Sequence, residues 1–444
     1  MERTVDGQSG QDQRDPVAVR SCPVESISLE LLAELETPTI AWIDDQTTLL
    51  ASGQTVSISA NGADRFVTVR NQAQRLFARF EQSESNFEDA RPRVIGGFSF
   101  TDTHRDPPPR STWEGFPGAW FVLPEVQFTA TSSGAWVTTT AVGSNAETRA
   151  KDRLERYQEL SVPERNSTNV PSVTRKTYAP ERSDWQRQIE EATAKIGAGT
   201  LRKVVLAQAL TAELSGPIAT HEILSELGRS YPACIRFGFE PLTGGAFFGA
   251  TPERLVTLEG KQVKTAGLAG SIGRGETQNE DEWLAEQLLT SEKNIHEHEI
   301  VVDTICEQLT PVTESVRTGE RGIRKLANVQ HLQTPVSATL SESRHVLDLV
   351  EALHPTPAVG GLPPEVALQT IHDTEVFDRG WYAAPVGWFD ANGDGTFGVA
   401  IRSAIARNDE ATLFAGAGIV GDSDPDEEYD ELQLKYKPIL DELA

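Results

Sequence analysis

The stretch that decides the fold runs from residue 183 to 210 and reads SDWQRQIEEATAKIGAGTLRKVVLAQAL. Its first part places Trp185, Ile189 and Ile196 on one helical stripe and ends at a glycine, which predicts an amphipathic helix. Its last part, RKVVLAQAL, is a run of strand-forming residues. Along the whole chain, helix and strand runs are mixed without the regular alternation of a doubly wound sheet. The sequence therefore predicts the α+β class.

The segments around this stretch extend the prediction. Residues 1–30 predict a loosely ordered lead-in, and the polar residues near 150–180 predict a linker or surface loop. Strands are predicted before the stretch at TIAWI (39–43), TVSISA (55–60), RFVTVR (65–70), VIGGFSF (94–100), GAWFVLPEVQFTAT (118–131) and GAWVTTTAV (134–142). After it we predict two strands in GAFFGATPERLVTLEG (245–260), a long helix over 277–309, further strands at 383–390, 396–405 and 411–418, and a last helix over 425–443.

The charge balance is the most pronounced feature of the composition. The chain has 66 acidic and 40 basic residues, a net charge of −26, and only ten of the bases are lysines. Such a surface repels nucleic acid and anionic lipid, so neither is expected as a partner. It also keeps a protein hydrated in concentrated salt, which predicts a halophilic source, although an ordinary acidic bacterial protein has a similar balance.

Targeting and cysteine signals predict a cytoplasmic protein. The N-terminal residues MERTVDGQSGQDQRDP are polar and lack the apolar core of a signal peptide, and the sequence contains no apolar run of membrane-spanning length. Cys22, Cys234 and Cys306 are far apart and lack metal-ligand spacing. They are compatible with a reducing compartment.

The segment SEKNIHEHEIVVDTI (291–305) raises the possibility of a metal site. Zinc ligands on a helix are typically four residues apart, whereas His296 and His298 are two apart and point about 200° away from each other. A zinc hydrolase is therefore a weak hypothesis. Glu297 lies between them, and taken alone it is most simply a core-edge acid paired with Lys293.

The last predicted helix strengthens the metal hypothesis. Asp424 is placed to cap it, Pro425 to begin it and Glu427 to cap it reciprocally, which puts Glu428, Glu431 and Lys435 on one face. The GAG segment upstream is predicted to be flexible, able to bring backbone N–H groups near an anion. Carboxylates without cysteine or paired histidine favour Mg²⁺ over zinc. The alternative is a solvated acidic face, which we prefer for Asp426 and Glu427.

Nine segments of the second half of the chain form a recognisable set when they are taken together and in order. They are KVVLAQ (203–208), FFGATPERLV (247–256), KTAGLAGSIGRG (264–275), SEKNIHEHEIVVD (291–303), HLQTPVSATL (331–340), LHPTPAVGGLPPEVA (353–367), FDRGWYAAPVGWFD (377–390), VAIRSA (399–404) and LFAGAGIV (413–420). This set resembles the chorismate-utilising enzymes, and among them the isochorismate synthases. The resemblance covers roughly residues 183–443.

The resemblance implies a fold and a reaction. The fold consists of two layered antiparallel sheets with helices outside and an active site in the cleft between them. A variable β-rich part over 1–180, integrated into the same fold, would precede a chorismate-binding catalytic region over 181–444. In the reaction, water adds at C2 of chorismate while the C4 hydroxyl leaves.

The same resemblance assigns the two proton-transfer roles. Lys203 matches the general base, since water is a poor nucleophile until a base takes its proton. Glu253, in ATPERL, matches the general acid that protonates the leaving hydroxyl, for which its pKa would have to be raised. Without the resemblance, an exposed lysine at the end of a strand would explain Lys203 about equally well, and Glu253 would be explained as a turn glutamate after Pro252.

The remaining site residues follow from the resemblance as well. Glu297 and Glu431 match the Mg²⁺ ligands, with Glu428 as a nearby or water-mediated partner, and His296 and His298 become surface or packing residues. Arg402 would bind the second substrate carboxylate through its fork of donors. The other predicted substrate contacts are Lys435, the backbone of Gly416, Ala417 and Gly418, the backbone of Gly270 and Ser271 within TAGLAGS, and the pocket histidines His331 and His354, for either of which a core or capping role is about as plausible.

Two positions bear on the branch of the family. Ala358 stands where the ammonia-using branch has threonine, and Lys203 is absent from the anthranilate branch, so no amidotransferase partner is expected and the chain is predicted to act as a monomer. We predict an isochorismate synthase that feeds menaquinone biosynthesis. A salicylate synthase, which also eliminates pyruvate, and a catalytically silent chorismate-binding protein are the alternatives. Gln208 replaces the usual arginine after VVLA, which puts the local support of Lys203 in question.

Overall fold

The computed structural model describes residues 15–80, 88–104, 110–158, 160 and 171–443. Its strands are β1 (Val17–Val24), β2 (Thr39–Ile43), β3 (Thr48–Ser52), β4 (Val56–Ala60), β5 (Val94–Phe98), β6 (Ala119–Leu123), β7 (Val126–Thr131), β8 (Gly134–Val142), β9 (Val173–Ala179), β10 (Lys203–Leu214), β11 (Ile235–Glu240), β12 (Ala246–Thr251), β13 (Arg254–Glu259), β14 (Gln262–Gly273), β15 (Thr313–Thr318), β16 (Gly322–Lys325), β17 (Val329–Leu340), β18 (Gly361–Leu362), β19 (Pro385–Phe389), β20 (Gly395–Val399), β21 (Ser403–Arg407) and β22 (Glu410–Ile419). Its helices are α1 (Arg65–Phe77), α2 (Ala146–Gln158), α3 (Arg182–Gly197), α4 (Thr220–Ser230), α5 (Gln278–Thr290), α6 (Glu292–Leu309), α7 (Val346–Leu353), α8 (Pro364–Thr374) and α9 (Pro425–Leu440).

The strands form two large antiparallel sheets, which confirms the predicted fold class. The first sheet has 12 strands in the order β1-β8-β7-β3-β2-β11-β12-β21-β22-β10-β18, with β9 added beside β10. The second has ten strands in the order β15-β17-β14-β13-β20-β19-β5-β6-β4, with β16 beside β17. The strands that carry predicted site residues are therefore divided between the two sheets. Strands β10 and β22 belong to the first sheet, and β14 and β17 belong to the second.

Strands from the first 180 residues enter both sheets. In the first sheet β2 pairs with β11, and in the second β5 pairs with β19. The aromatic core crosses the same boundary, since the ring of Phe116 lies 5.2 Å from that of the fully buried Trp381. The functional boundary at residue 180 stays a prediction, but the backbone pairing of the two parts is continuous.

Two predicted elements are wrong in type or extent. RFVTVR (65–70) was expected as a strand because of its β-branched residues, but it begins helix α1, where Val69, Ala73 and Leu76 are buried on one face. The predicted helix over 277–309 is broken at Ser291 into α5 and α6. The Ser291 hydroxyl accepts a hydrogen bond from the N–H of Asn294 and so caps α6.

The polar stretch near 150–180 also differs from the predicted linker. Helix α2 covers its beginning, and β9 pairs with β10 near its end, for example Tyr178 with Leu210. Residues 161–170 lie outside the described residues, as do residues 1–14 of the predicted lead-in. The expectation of a loosely ordered lead-in is wrong for Val17–Val24, which form β1 and pair with β8 along the whole strand. Among the described helices, none combines the length and the apolar character that crossing a membrane requires.

Candidate active site

Most of the predicted site residues line one cavity of about 260 Å³, which we call the substrate cavity. Strands of both sheets and the helices α6 and α9 contribute to its wall. It brings together side chains that are more than two hundred positions apart in the chain. The predicted residues on its lining are Lys203, Glu253, Gly270, Ser271, Glu297, His331, Ala358, Arg402, Gly416, Gly418, Glu428, Glu431 and Lys435.

Lys203 is the first residue of β10 and is 2 % exposed. Its ammonium contacts Oε1 of Glu297 on α6 at 2.7 Å. Burial acts to raise the pKa of Glu297, but the charge and hydrogen bond of Lys203 lower it overall. The partner expected for Glu297 from the sequence alone, Lys293, instead lies 3.9 Å from Asp422. Lys203 is therefore a buried amine held beside a carboxylate at the cavity wall, and not an exposed strand end.

The GAG segment is regular strand, which corrects the prediction of a flexible anion-binding loop. Gly416, Ala417 and Gly418 belong to β22 and pair with β10. A side chain at Gly418 would place its Cβ 3.1 Å from Cε of Lys203 and 3.3 Å from Oε1 of Glu297. The glycine thus makes room for the ion pair. Ala417 is fully buried and its side chain does not line the substrate cavity.

Glu253 occupies the connection between β12 and β13 and is 7 % exposed, unlike a solvated turn glutamate. Its carboxyl accepts a hydrogen bond of 3.5 Å from the Thr356 hydroxyl. Burial raises the pKa of Glu253 to about 7, against the opposing effects of Thr356, Lys203 and Arg402. A substantial fraction of this carboxyl is therefore protonated near neutral pH and can donate a proton.

Arg402 supplies positive charge inside the cavity. It precedes β21, is 8 % exposed, and has a backbone φ of 53°, a left-handed conformation that is uncommon outside glycine. Within the part of the chain that the structure describes, no carboxylate lies within ion-pair distance of its guanidinium. A buried, uncompensated cation is unfavourable unless an anion joins it. Arg402 is thus suited to bind an anionic ligand.

Helix α9 begins as the sequence predicts, but within the described part of the chain the Asp424 N–H makes no hydrogen bond to the Glu427 carboxylate, so the expected reciprocal cap is wrong. Asp424 accepts hydrogen bonds from the N–H groups of Asp426 and Glu427, and the helix begins at Pro425. Asp426 contacts the exposed Arg182 at 2.9 Å, in keeping with a solvated position. Glu427 is exposed as well, as expected, although it also borders the substrate cavity.

Glu428 and Glu431 add negative charge to the cavity. Glu428 is 7 % exposed and accepts a hydrogen bond of 2.7 Å from the Ser423 hydroxyl. Burial and the nearby charge of Glu431 raise the pKa of Glu428 to about 7. Glu431 contacts the ammonium of Lys435 at 2.6 Å, and the same ammonium donates to the carbonyl of Gly416 at 2.6 Å.

The three predicted Mg²⁺ ligands line one cavity without forming a ready-made cage. Among the described residues, no three histidine, cysteine or acidic side chains are grouped so that they could hold a metal ion by themselves. The donor set nevertheless fits Mg²⁺, because Glu297, Glu428 and Glu431 offer only oxygen atoms and Mg²⁺ usually keeps waters and substrate oxygens as further ligands. Burial is the largest cause of the raised pKa of Glu428, and the nearby charge of Glu431 adds to it.

The two predicted pocket histidines have different positions. His331 lines the cavity, and its Nδ1 lies 2.8 Å from the Ser271 hydroxyl, while its buried Nε2 has no hydrogen-bond partner among the described residues. Burial, followed by the charges of Arg402 and Lys435, lowers the pKa of His331 to about 3, so the ring is neutral. The predicted pocket position of His354 is not observed, and the core or capping alternative fits, since His354 is the C-cap residue of α7. Its Nε2 contacts the Phe100 carbonyl at 3.0 Å outside the cavity lining.

The histidines on either side of Glu297 are not metal ligands by position. His296 is exposed on α6, and the buried Nε2 of His298 lies 2.7 Å from the Thr334 hydroxyl. Gln208, the departure from the usual arginine, is buried away from the cavity. Its side chain donates to the Pro180 carbonyl at 2.7 Å, and its carbonyl accepts from the Tyr436 hydroxyl at 2.8 Å.

Arg379 is a cavity residue that the sequence reasoning missed. Its guanidinium donates to the carbonyls of Val205 at 2.7 Å and Val359 at 2.9 Å, and its Nε donates to Glu375 at 2.8 Å. Glu375 in turn accepts from the N–H of Ala207 at 2.8 Å. The Arg379–Glu375 pair is thereby hydrogen-bonded both to the start of β10, which carries Lys203, and to the segment beside Ala358. The FDRGWYAAPVGWFD motif contains Arg379, but its partners are too distant in sequence to be read from it.

Replacing Arg379 by glutamine should destabilise the protein by about 3–5 kcal/mol, because Glu375 would stay buried without its charged partner. Both side chains of this pair are only 3 % exposed. Arg182→Gln is the matched control, since it breaks an exposed pair with Asp426 whose loss is expected to change stability by about 1 kcal/mol or less. Urea unfolding measures both variants, and equal losses would contradict the positioning role of Arg379.

Comparison with known proteins gives a consistent result. The family model described as chorismate binding enzyme matches residues 11–444. The chain is 35 % identical over 415 residues to the isochorismate synthase MenF of Bacillus subtilis, covering 91 % of this chain and 87 % of that protein. It is also 35 % identical over 419 residues to the salicylate biosynthesis isochorismate synthase of Pseudomonas aeruginosa, covering 92 % of this chain and 85 % of that protein.

Solved structures are similar over nearly the whole chain. MenF, the menaquinone-specific isochorismate synthase from Escherichia coli, superposes with a TM-score of 0.82 at 26 % identity, covering 97 % of this chain and 95 % of the other. Anthranilate synthase component I from Streptococcus pneumoniae superposes with a TM-score of 0.73 at 24 % identity, covering 90 % of this chain and 93 % of the other, and shows the fold alone.

Proposed function

The chain belongs to the family of chorismate-binding enzymes, and on that premise we propose that it is an isochorismate synthase, which adds water at C2 of chorismate while the C4 hydroxyl leaves. The observation that carries the proposal is the meeting of Lys203, Glu253 and Arg402 in one cavity. The chain's 35 % identity to an isochorismate synthase over 91 % of its length supports it further. One water is taken up and one is released, so the reaction is an isomerisation.

The buried side chains divide the chemistry between them. Lys203 is the group that takes the proton of the water that attacks C2. Glu253, in its protonated form, gives its proton to the C4 hydroxyl, which leaves as water. The pKa of Glu253, raised to about 7 by burial, keeps part of this acid protonated near neutral pH.

The substrate is a dianion, and the cavity offers a cationic group for it. Arg402 can bind one carboxylate through two parallel hydrogen bonds, and Lys435 adds positive charge nearby. Gly270 and Ser271 line the same cavity at the bulge of β14. Nε2 of the neutral His331 has no hydrogen-bond partner among the residues that the structure describes, and it can hydrogen-bond to the bound ring.

Mg²⁺ is the proposed cofactor, held by Glu297 and Glu431 with Glu428 nearby. Bound there, the ion would neutralise these carboxylates and the ring carboxylate of the substrate. Its proposed ligands are already occupied by lysines, Glu297 by Lys203 and Glu431 by Lys435, so the ion would have to compete with both. Proteins that bind Mg²⁺ through few carboxylates usually rely on substrate oxygens as well.

Chelation should therefore abolish the conversion of chorismate, and added Mg²⁺ should restore it. Glu431→Gln should raise the Mg²⁺ concentration that gives half-maximal activity by about tenfold or more, because one anionic ligand is lost. Asp430→Asn is the control, since Asp430 is an exposed neighbour on α9 that does not line the cavity. Titrating Mg²⁺ against initial rate measures both variants. Full activity in the chelated enzyme would contradict the metal assignment.

Product analysis tests the function itself. Incubation with chorismate and Mg²⁺ should yield isochorismate without pyruvate. Pyruvate and salicylate would identify a salicylate synthase, and tight binding without turnover would identify a catalytically silent chorismate-binding protein. Ala358 on the cavity wall is consistent with water as the nucleophile, so we propose that the chain acts without an amidotransferase, as a monomer. The MenF relatives support menaquinone biosynthesis as the consumer of the product.

A further inference from the structure

A second cavity of about 410 Å³ adjoins Glu253. Pro252, Glu253 and Leu268 line both this second cavity and the substrate cavity. Glu253 therefore separates two spaces, one for the substrate and one with a different lining. The second cavity is roomy and polar enough to hold water. Its polar and charged lining includes Asp45, Arg254, Lys264, Arg324 and Gln333.

The cations of the second cavity differ in how they are compensated. Arg254 contacts Asp45 at 2.7 Å, and Lys264 contacts Glu259 at 2.9 Å. Arg324 donates to the carbonyl of Ala233 at 2.8 Å. Over the described ranges, no carboxylate lies within ion-pair distance of Arg324. Its charge is consequently the least compensated positive charge in the second cavity.

The strand register fixes where Arg324 lies relative to the site. Arg324 on β16 is directly opposite His331 on β17, and His331 is directly opposite Ser271 on β14. Directly opposed residues place their side chains on the same face of a sheet. Arg324 is thus the cross-strand neighbour of a substrate-cavity histidine, although it lines the second cavity itself.

We propose that Arg324 is a positioning residue of the reaction, which stabilises the carboxylate form of Glu253 from the second cavity without touching the substrate. This inference rests on the proposed role of Glu253 as general acid. When Glu253 gives its proton to the leaving hydroxyl, a carboxylate forms at a buried position. A fixed positive charge nearby stabilises such a developing charge.

The groups that face Glu253 agree with this role. Burial is the largest effect on its pKa and raises it, while the Thr356 hydrogen bond and the charges of Lys203, Arg402 and Arg324 lower it. Lys203 and Arg402 line the substrate cavity, where the substrate will occupy or neutralise them. Arg324 is the member of this set that stays available in the second cavity when the substrate is bound.

The test is the pH profile of kcat/KM for variants at Arg324. In the wild type, kcat/KM should fall as the pH rises through the pKa of Glu253, which gives the profile a descending limb. Arg324→Gln should shift this limb to higher pH by roughly half a unit or more, because Glu253 loses a charge that stabilises its carboxylate form. It should also lower kcat several-fold with KM within about twofold of the wild type. Arg324→Lys, which keeps the charge, should restore most of both values. Lys264→Gln, which removes a compensated charge from the same cavity, should change neither.

A second variant does not depend on the fold tolerating Arg324→Gln. Ala233 is exposed and lies next to Arg324, so Ala233→Glu would give Arg324 a carboxylate partner and should shift the limb in the same direction. An unmoved limb in both variants, or an equal shift in Lys264→Gln, would overturn the role of Arg324. The proposed function fails separately, if the wild type forms no isochorismate or if Glu253→Gln retains the limb.

Discussion

Lys203→Ala should lower kcat by about 10³-fold, within the range that general base catalysis contributes. Lys203 is the buried amine at the wall of the substrate cavity, and it contacts Glu297 at 2.7 Å. Without it, the water that attacks C2 has no positioned base. Binding should change far less, because Arg402 and Lys435 stay in place. Initial rates over a range of chorismate concentrations separate the two effects.

Lys203→Arg separates the proton transfer from the ion pair. Arginine keeps a positive charge beside Glu297, but it is not deprotonated in proteins and cannot act as a base. We expect its kcat to fall nearly as far as that of Lys203→Ala, while its melting temperature stays closer to the wild type. Lys176→Ala, at an exposed position of β9, is the control for loss of a lysine. Substantial turnover by Lys203→Arg would contradict the base assignment.

Glu253→Gln should lower kcat by about 10²–10³-fold, because glutamine fills the same space but has no proton to donate to the leaving hydroxyl. In the wild type, kcat/KM should fall as the pH rises above about 7, since burial raises the pKa of Glu253 to about 7 and only the protonated form is an acid. The residual activity of Glu253→Gln should lack this descending limb.

The same raised pKa fixes the direction of the effect on stability. The protonated carboxyl is favoured in the folded protein, so its contribution is complete below the ordinary pKa of 4.5 and is lost as the pH rises through about 7. The free energy of unfolding of Glu253→Gln should therefore change less with pH between these two values than that of the wild type. Thr356→Val is a useful companion, because it removes the hydrogen bond to the carboxyl and keeps the acid. A descending limb that persists unchanged in Glu253→Gln would rule out Glu253 as the titrating acid.

Local patterns predicted much of the secondary structure because burial and periodicity agree along the chain. The stripe of Trp185 and Ile189 on α3 is fully buried, and the apolar run after Lys203 is buried along β10. The first turn of α9 was predictable because Asp424 and Pro425 carry cap chemistry of their own. Such signals are contained within a few residues of the elements they define.

The errors occurred where tertiary contacts decide between two local readings. The residues Arg65 to Arg70 are rich in β-branched side chains, yet burial of Val69, Ala73 and Leu76 on one face favours helix. The glycines of GAG permit a loop, but pairing with β10 holds them in a strand. Their small size matters instead for the space they leave at the ion pair of Lys203 and Glu297.

The site depended on a resemblance, because nothing in local spacing links Lys203 to Glu431. The two residues meet through the sheet pairing of β10 with β22 and the contact of α9 with β22. Arg379 and Arg324 were missed for the same reason. Arg379 acts through the carbonyls of Val205 and Val359, and Arg324 through a cavity that it shares with Glu253.

Isotope labelling tests the central claim most directly. Chorismate is incubated with the enzyme and Mg²⁺ in ¹⁸O-water, and the product is analysed by mass spectrometry and NMR. If Lys203 activates a solvent water and Glu253 releases the original hydroxyl, the newly formed isochorismate carries one ¹⁸O, in the hydroxyl at C2 of the chorismate ring, and no pyruvate accumulates. Unlabelled isochorismate, or pyruvate released in step with the loss of chorismate, would contradict the account.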